Sequence, residues 1–77
     1  MSEAIFLAKL AQILGVSREK MDEQFKLDYG NWDSLALVGT IVAIDEQFGI
    51  TVPTKQLIAC ASVGDLMESI RERLKQS

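Results

Sequence analysis

Residues 31–49 read NWDSLALVGTIVAIDEQFG, and their pattern predicts a helix over Ser34–Phe48. Large apolar side chains recur at the +4, +7 and +11 spacing of one helix face: Leu37, Ile41, Ile44 and Phe48. Asp33 or Ser34 can cap this helix, since either side-chain oxygen can accept from the first backbone N–H groups. Gly49 is the predicted end of the helix. We expect the four-residue stripe to face the core.

The other faces of this helix are also nearly free of charge. A stripe of small residues lies on a second face: Ala36, Gly39, Thr40 and Ala43. Leu35 and Val42 project on another flank, with Glu46 one turn further on. A helix that is apolar nearly all round is either buried or part of an interface. The small stripe therefore either lets the backbone of a partner approach closely or packs against the long loop or the third helix.

Two further segments follow from apolar spacing and caps. Ala4–Leu14 predicts a first amphipathic helix, with Gly15 as its C-terminal cap. The connection over residues 16–33 is long; in it we expect Ser17 to cap a short turn through Met21. Phe25 and Leu27 are predicted to anchor this connection in the core. Its turn signal is the tripeptide Tyr29-Gly30-Asn31.

The C-terminal part predicts one short helix and one long helix. Thr54 is expected to cap the short helix, which runs to about Cys60. Residues 62–65 match a capping box, and apolar residues from Val63 to Leu74 then follow helical spacing. The fold class is all-α, a small four-helix bundle of three main helices and one short one, in a single domain over residues 1–77.

Composition excludes several classes of function. Lys and Arg number 8 and Asp and Glu 11, a net charge of −3 that argues against binding nucleic acid. With no histidine and one cysteine, Cys60, neither the usual zinc ligand set nor a Ser-His or Cys-His nucleophile can form. We expect Cys60 to be a packed thiol in a reducing compartment. No secretory signal or apolar run of membrane-spanning length is recognised, so a cytoplasmic location without membrane insertion is expected.

Ser34 is the residue most suggestive of chemistry. It lies where a long loop meets a helix, so nearby N–H groups and the positive end of the helix dipole favour an anion at its hydroxyl. This position suits a phosphate ester. It does not suit an unaided nucleophile, because the chain offers no base to activate the hydroxyl.

Four segments in this order resemble the acyl or peptidyl carrier proteins: DSL at 33–35, DEQFGI at 45–50, VP at 52–53 and SVGDL at 62–66. The resemblance covers essentially the whole chain. It implies that a phosphopantetheinyl transferase attaches 4′-phosphopantetheine from coenzyme A to Ser34. It also implies that Asp33 helps the transferase and its magnesium ion to engage. The thiol of the arm would carry a thioester, and the chain itself would catalyse nothing.

The chain also departs from the fatty-acid carriers. Asn31-Trp32 replaces their common Gly-Ala, and the central helix lacks their acidic residues. In these two features the chain is more similar to discrete aminoacyl or D-alanyl carriers. The resemblance implies two kinds of partner, an AMP-forming acyl or aminoacyl ligase and a downstream acyl transferase or synthase. These partners are expected to dock at Leu35, Val42 and Glu46. The protein itself is expected to be a monomer. Trp32 either packs the loop onto the bundle or contacts a partner. A fatty-acid or polyketide carrier, and an unmodified helical interaction module, remain the alternatives.

Overall fold

The computed structural model describes residues 2–28 and 30–76, and it confirms a small helical bundle. The helices are α1 (Ser2–Leu14), α2 (Ser34–Phe48), α3 (Thr54–Ile58) and α4 (Val63–Gln76), with a 3₁₀ turn at Arg18–Lys20. Three helices are long and one is short, and the described ranges contain no strand. Of the predicted turn signal, Tyr29 lies outside the described residues.

The core stripe of α2 faces inward as predicted. Leu37 and Ile44 are buried, whereas Ile41 and Phe48 are half-buried and pack against the same cluster. The ring of Phe48 meets that of Phe6 of α1 edge to face, with centroids 5.6 Å apart. Edge-to-face contact is a favoured arrangement of two aromatic rings. The aromatic pair therefore fastens the end of α2 to α1.

Gly39 of the small stripe lies against α1, a neighbour that neither interpretation of this stripe named. Ala36, Thr40 and Ala43 are buried, and a Cβ built on Gly39 would lie 3.5 Å from the side chain of Ile13. The buried hydroxyl of Thr40 donates to the Ala36 carbonyl at 2.7 Å, so its polar group is satisfied. The lack of a side chain at Gly39 lets the two helices approach closely, and Gly39 itself is half-buried.

The long connection is fastened to the start of α4. The N–H of Leu27 donates to the Ala61 carbonyl and that of Val63 to the Phe25 carbonyl, each at 2.9 Å. Of the two predicted anchors, Leu27 is buried and Phe25 half-buried. The N–H of Gly64 donates to the Glu23 carbonyl at 2.9 Å, and a Cβ on Gly64 would lie 3.0 Å from that oxygen. A side chain at this position would force the Glu23 backbone to shift by a few tenths of an ångström, so the close approach favours glycine.

Several helix ends differ from their predicted positions. The first helix starts at Ser2, two residues before the predicted start at Ala4. Ser17 holds the N-cap position of the 3₁₀ turn, but its side chain makes no capping hydrogen bond. Thr54 is the first residue of α3 instead of its cap, a position that Pro53 occupies, and α3 ends at Ile58. A five-residue helix has few periodic positions, so its ends depend on its neighbours.

The remaining ends are as predicted. Gly15 and Gly49 follow their helices with φ of 71° and 69°, the left-handed conformation that glycine adopts freely. The Ser62 hydroxyl accepts from the N–H of Asp65 at 3.3 Å, and the Asp65 carboxylate accepts from the N–H of Ala61 at 3.0 Å. The first of these bonds is that of the predicted capping box, whereas the second goes to Ala61 and not to Ser62; α4 starts at Val63, as predicted.

Candidate functional site

Asp33 caps α2, and this leaves Ser34 free. The Asp33 carboxylate accepts from the N–H of Ala36 at 2.8 Å, and the Asp33 carbonyl accepts from the N–H of Leu37 at 2.9 Å. Ser34, the first residue of the helix, is exposed. Its hydroxyl forms no hydrogen bond with residues 2–28 or 30–76. Of the two alternative caps, the aspartate is the one used, and the serine hydroxyl faces solvent.

The loop before Ser34 is held by a local hydrogen-bond network. The Asn31 side chain accepts from the N–H of Asp28 at 3.0 Å and donates to the Lys26 carbonyl at 3.1 Å. The Asp28 carboxylate accepts from the N–H of Gly30 at 2.9 Å, and its carbonyl accepts from the N–H of Trp32 at 2.7 Å. These bonds define the path of the chain into the helix.

Trp32 joins this loop to α3. Its indole N–H donates to the Leu57 carbonyl at 2.8 Å, and the side chain is half-buried. Leu57 itself is fully buried, so the indole is tied to a residue of the core. This contact supports the packing interpretation of Trp32. No partner is needed to explain its position.

The start of α2 has the electrostatics that a phosphate ester requires. With Ala36 and Leu37 already paired through Asp33, the N–H groups of Ser34 and Leu35 have no acceptor within the described ranges. Unpaired N–H groups at a helix start, together with the helix dipole, stabilise negative charge. An exposed hydroxyl beside them fits a covalent phosphate.

One face of α2 exposes large apolar side chains. Leu35, Val38 and Val42 are 82%, 60% and 51% exposed, and they are spaced by three and four residues along the helix. Val38 was missed in the sequence interpretation, although its spacing from Leu35 and Val42 is the signal that could have found it. Glu46 is exposed one turn beyond Val42 and pairs with Lys9 of α1 at 3.6 Å. The site residues named from the sequence thus lie along one helix.

Other kinds of site were sought in the described residues. They contain no group of three potential metal-ligating side chains, and none of their helices is long and apolar enough to cross a membrane. Cys60 is buried, and its thiol donates to the Gln56 carbonyl at 3.4 Å. Burial raises the pKa of this thiol, which keeps it protonated. The prediction that Cys60 is a packed thiol is confirmed.

The family described as "Phosphopantetheine attachment site" matches residues 4–70, most of the chain. The chain belongs to this family. The chain is 40% identical over 55 residues to "Acyl carrier protein MbtL" of Mycolicibacterium paratuberculosis, a match covering 71% of this chain and 61% of that protein. It is 36% identical over 52 residues to "Acyl carrier protein" of Helicobacter acinonychis, covering 68% and 65%. The chain thus spans less than two thirds of the length of either relative. No solved structure gives a significant match.

The resemblance found in the sequence is confirmed by these matches. The family implies a covalently attached 4′-phosphopantetheine as prosthetic group. An exposed serine hydroxyl at the start of a capped helix fits the phosphate end of this group. The group supplies a terminal thiol on a flexible tether when it is attached.

Proposed function

We propose that the protein carries an acyl or aminoacyl group as a thioester on a 4′-phosphopantetheine arm attached to Ser34. The observation that supports the proposal is that different residues cap α2 and offer the free hydroxyl at its start. Asp33 caps the helix through its carboxylate, so the exposed Ser34 hydroxyl is not used by the fold. In the attachment, this hydroxyl oxygen attacks the phosphorus joined to the pantetheine half of coenzyme A. The bond to the nucleotide half breaks, and 3′,5′-ADP leaves.

The chain has the role of a substrate and a carrier, and catalysis belongs to its partners. It contains no histidine, and Asp33, the carboxylate next to Ser34, is occupied with the helix N-terminus. Proton removal from Ser34 is therefore assigned to the transferase, with Asp33 as a contact for that enzyme and its magnesium ion. A tethered thioester gains a high local concentration at each enzyme that the carrier reaches.

The exposed face of α2 is the proposed docking surface for these enzymes. It combines Leu35, Val38 and Val42 with the carboxylate of Glu46. An apolar patch rimmed by charge is typical of protein–protein contact. Partners on this proposal are the transferase, an AMP-forming acyl or aminoacyl ligase, and a downstream acyl transferase or synthase. The carrier would act as a cytoplasmic monomer.

The class of the cargo is proposed from α2 and from Trp32, which precedes it. Between Ser34 and Ile44 the helix carries no charge, and Trp32 stands two residues before the attachment site. Both features favour a small acyl or aminoacyl cargo loaded by a ligase over the long chains of fatty-acid synthesis.

Intact-protein mass spectrometry tests the attachment. The protein is incubated with coenzyme A and a transferase of broad specificity, and we expect the mass to rise by one phosphopantetheinyl group. Ser34→Ala should abolish the gain. Ser17→Ala is the matched control, because Ser17 is exposed and its side chain caps no helix. A wild-type chain that stays at its unmodified mass would instead be an interaction module without the arm.

A further inference from the structure

A small cavity lies between the loop before Ser34 and α3. Its volume is about 200 Å³, and four of the described residues line it: Leu27, Asp28, Trp32 and Ile58. Ligand pockets for larger molecules usually occupy about 300–1,000 Å³. This cavity can therefore accept only a small group.

The walls of the cavity combine apolar surface with a single carboxylate. Leu27 is buried and belongs to the core, whereas Ile58 of α3 is 61% exposed although it is a large aliphatic residue. The Trp32 indole is oriented by its bond to the Leu57 carbonyl, which leaves no indole donor for a ligand. One Asp28 oxygen accepts from the N–H of Gly30, and the second oxygen has no hydrogen-bond partner among the described residues.

We propose that this cavity holds the ammonium-bearing end of an aminoacyl cargo, with Asp28 and Trp32 as its recognition groups. The inference rests on the proposed attachment of the arm to Ser34, and it assigns the cargo to the aminoacyl class. A carboxylate and an aromatic residue that line one cavity favour a cation, because negative charge and an aromatic ring both attract positive charge. The aliphatic surfaces of Leu27 and Ile58 would cover a small side chain.

The cavity is within reach of the attachment site. Trp32 and Ser34 are separated by one residue, so their Cα atoms lie at most about 7 Å apart. A flexible arm that starts at Ser34 can bend back to the cavity without any movement of the helices. An acyl group without the amine would find the same apolar walls but would have no partner for the Asp28 carboxylate.

Nuclear magnetic resonance of two loaded forms tests this inference. Coenzyme A analogues with NH in place of sulfur give stable amides, so the arm can be attached with either an alanyl or an isobutyryl group. The two groups differ by an ammonium in one and a methyl in the other. Intact mass first establishes that Ser34 carries the arm. We expect the Trp32 indole N–H and the Ile58 methyl resonances to shift at least threefold more with alanyl than with isobutyryl.

Two variants test whether the negative charge of Asp28 is responsible for the alanyl shifts. Asp28→Asn keeps an oxygen for the N–H of Gly30 and removes the carboxylate, so the alanyl shifts should fall to the isobutyryl level. Asp22→Asn is the matched control, because the exposed Asp22 accepts from the N–H of Gln24 at 2.9 Å in the same two-residue turn. It should leave the alanyl shifts unchanged.

Failures of the two proposals are distinguishable in this experiment. A chain that never gains the arm at Ser34 overturns the proposed function. An attached arm with equal shifts for both cargoes, with no shifts, or with alanyl shifts that persist in Asp28→Asn overturns only the assignment of an ammonium site.

Discussion

Asp33 contributes an acceptor oxygen and a negative charge, and two substitutions separate these contributions. Asp33→Asn keeps the side-chain oxygen that caps α2, so urea unfolding should show almost unchanged stability. Asp33→Ala removes the cap, and the free energy of unfolding should fall by about 0.5–2 kcal/mol. We expect both variants to slow addition of the arm, measured by mass spectrometry over time. A normal rate in Asp33→Asn would show that the transferase does not need the charge.

Ile44 tests the inward face of α2 at the level of one side chain. It is fully buried in the main apolar cluster, so Ile44→Ala should reduce the free energy of unfolding by about 2–5 kcal/mol. Leu35→Ala is the control on the outward face, where the side chain is 82% exposed. Its effect should stay within about 0.5 kcal/mol in the same urea titration. Equal losses in the two variants would contradict the placement of the two faces.

At the scale of the element, α2 is expected to bind partners through its exposed apolar face. Val42→Glu should weaken loading by the cognate ligase about tenfold or more, because the contact loses roughly 1.5 kcal/mol or more of apolar burial. The new charge lies four residues before Glu46, a like-charge pair that costs a helix only about 0.2–0.5 kcal/mol. The fold should therefore survive, which circular dichroism would verify.

Ile5→Glu is the matched control for this face. Ile5 of α1 is 53% exposed, close to the 51% of Val42, but lies on another helix. We expect its loading rate to remain that of the wild type. If both variants lose loading equally, charge anywhere on the surface is responsible and the docking role of α2 is wrong.

The elements differ in how far the sequence determines them. α2 was predicted to its final residue because a cap, a periodic stripe and a terminal glycine agree at Asp33, Leu37 and Gly49. α3 was predicted too long, since its ends depend on contacts with the rest of the bundle. A helical wheel also identifies a face without identifying the neighbour that covers it. For this reason α1, which Gly39 meets at Ile13, was not among the neighbours predicted for the small stripe.

The candidate site was predictable for its attachment serine and less so for its surroundings. Ser34 and Asp33 are adjacent in one short sequence motif, so they could be identified without knowledge of the rest of the fold. The cavity beside Trp32 depends on α3, more than twenty residues further along the chain, and no spacing rule connects Trp32 with Ile58. For the same reason, the sequence could not decide whether Trp32 packs onto the bundle, as its hydrogen bond to the Leu57 carbonyl indicates.

At the scale of the whole molecule, one arginine connects distant parts of the chain. The Arg71 guanidinium of α4 donates to both oxygens of Glu3 in α1, at 2.9 and 3.2 Å, and lies 3.6 Å from a carboxylate oxygen of Glu23 in the long connection. The Arg71 hydrogen bond lowers the pKa of Glu3 below its ordinary value of 4.5, against the opposing effect of desolvation. These side chains are largely exposed, so added salt should screen the attraction.

This pairing predicts a pH dependence of stability. Because the pKa of Glu3 is depressed in the folded state, its contribution is complete above pH 4.5 and is lost as the pH falls through the folded value. Urea unfolding between pH 6 and 3 should show a smaller loss of stability in Glu3→Gln than in the wild type. Glu19→Gln, at an exposed glutamate without an ion pair among the described residues, should retain the wild-type slope. Identical slopes in all three proteins would exclude the effect.

The bonds between the long connection and the start of α4 have a consequence for motion. The amide protons of Leu27 and Val63 are held across two segments and lie in buried residues, so they should exchange with deuterium only when a large part of the bundle opens. The exposed turn at Gly30 should exchange much earlier. The flexible arm would then be attached to a rigid base, so its motion would not depend on movement of the helices.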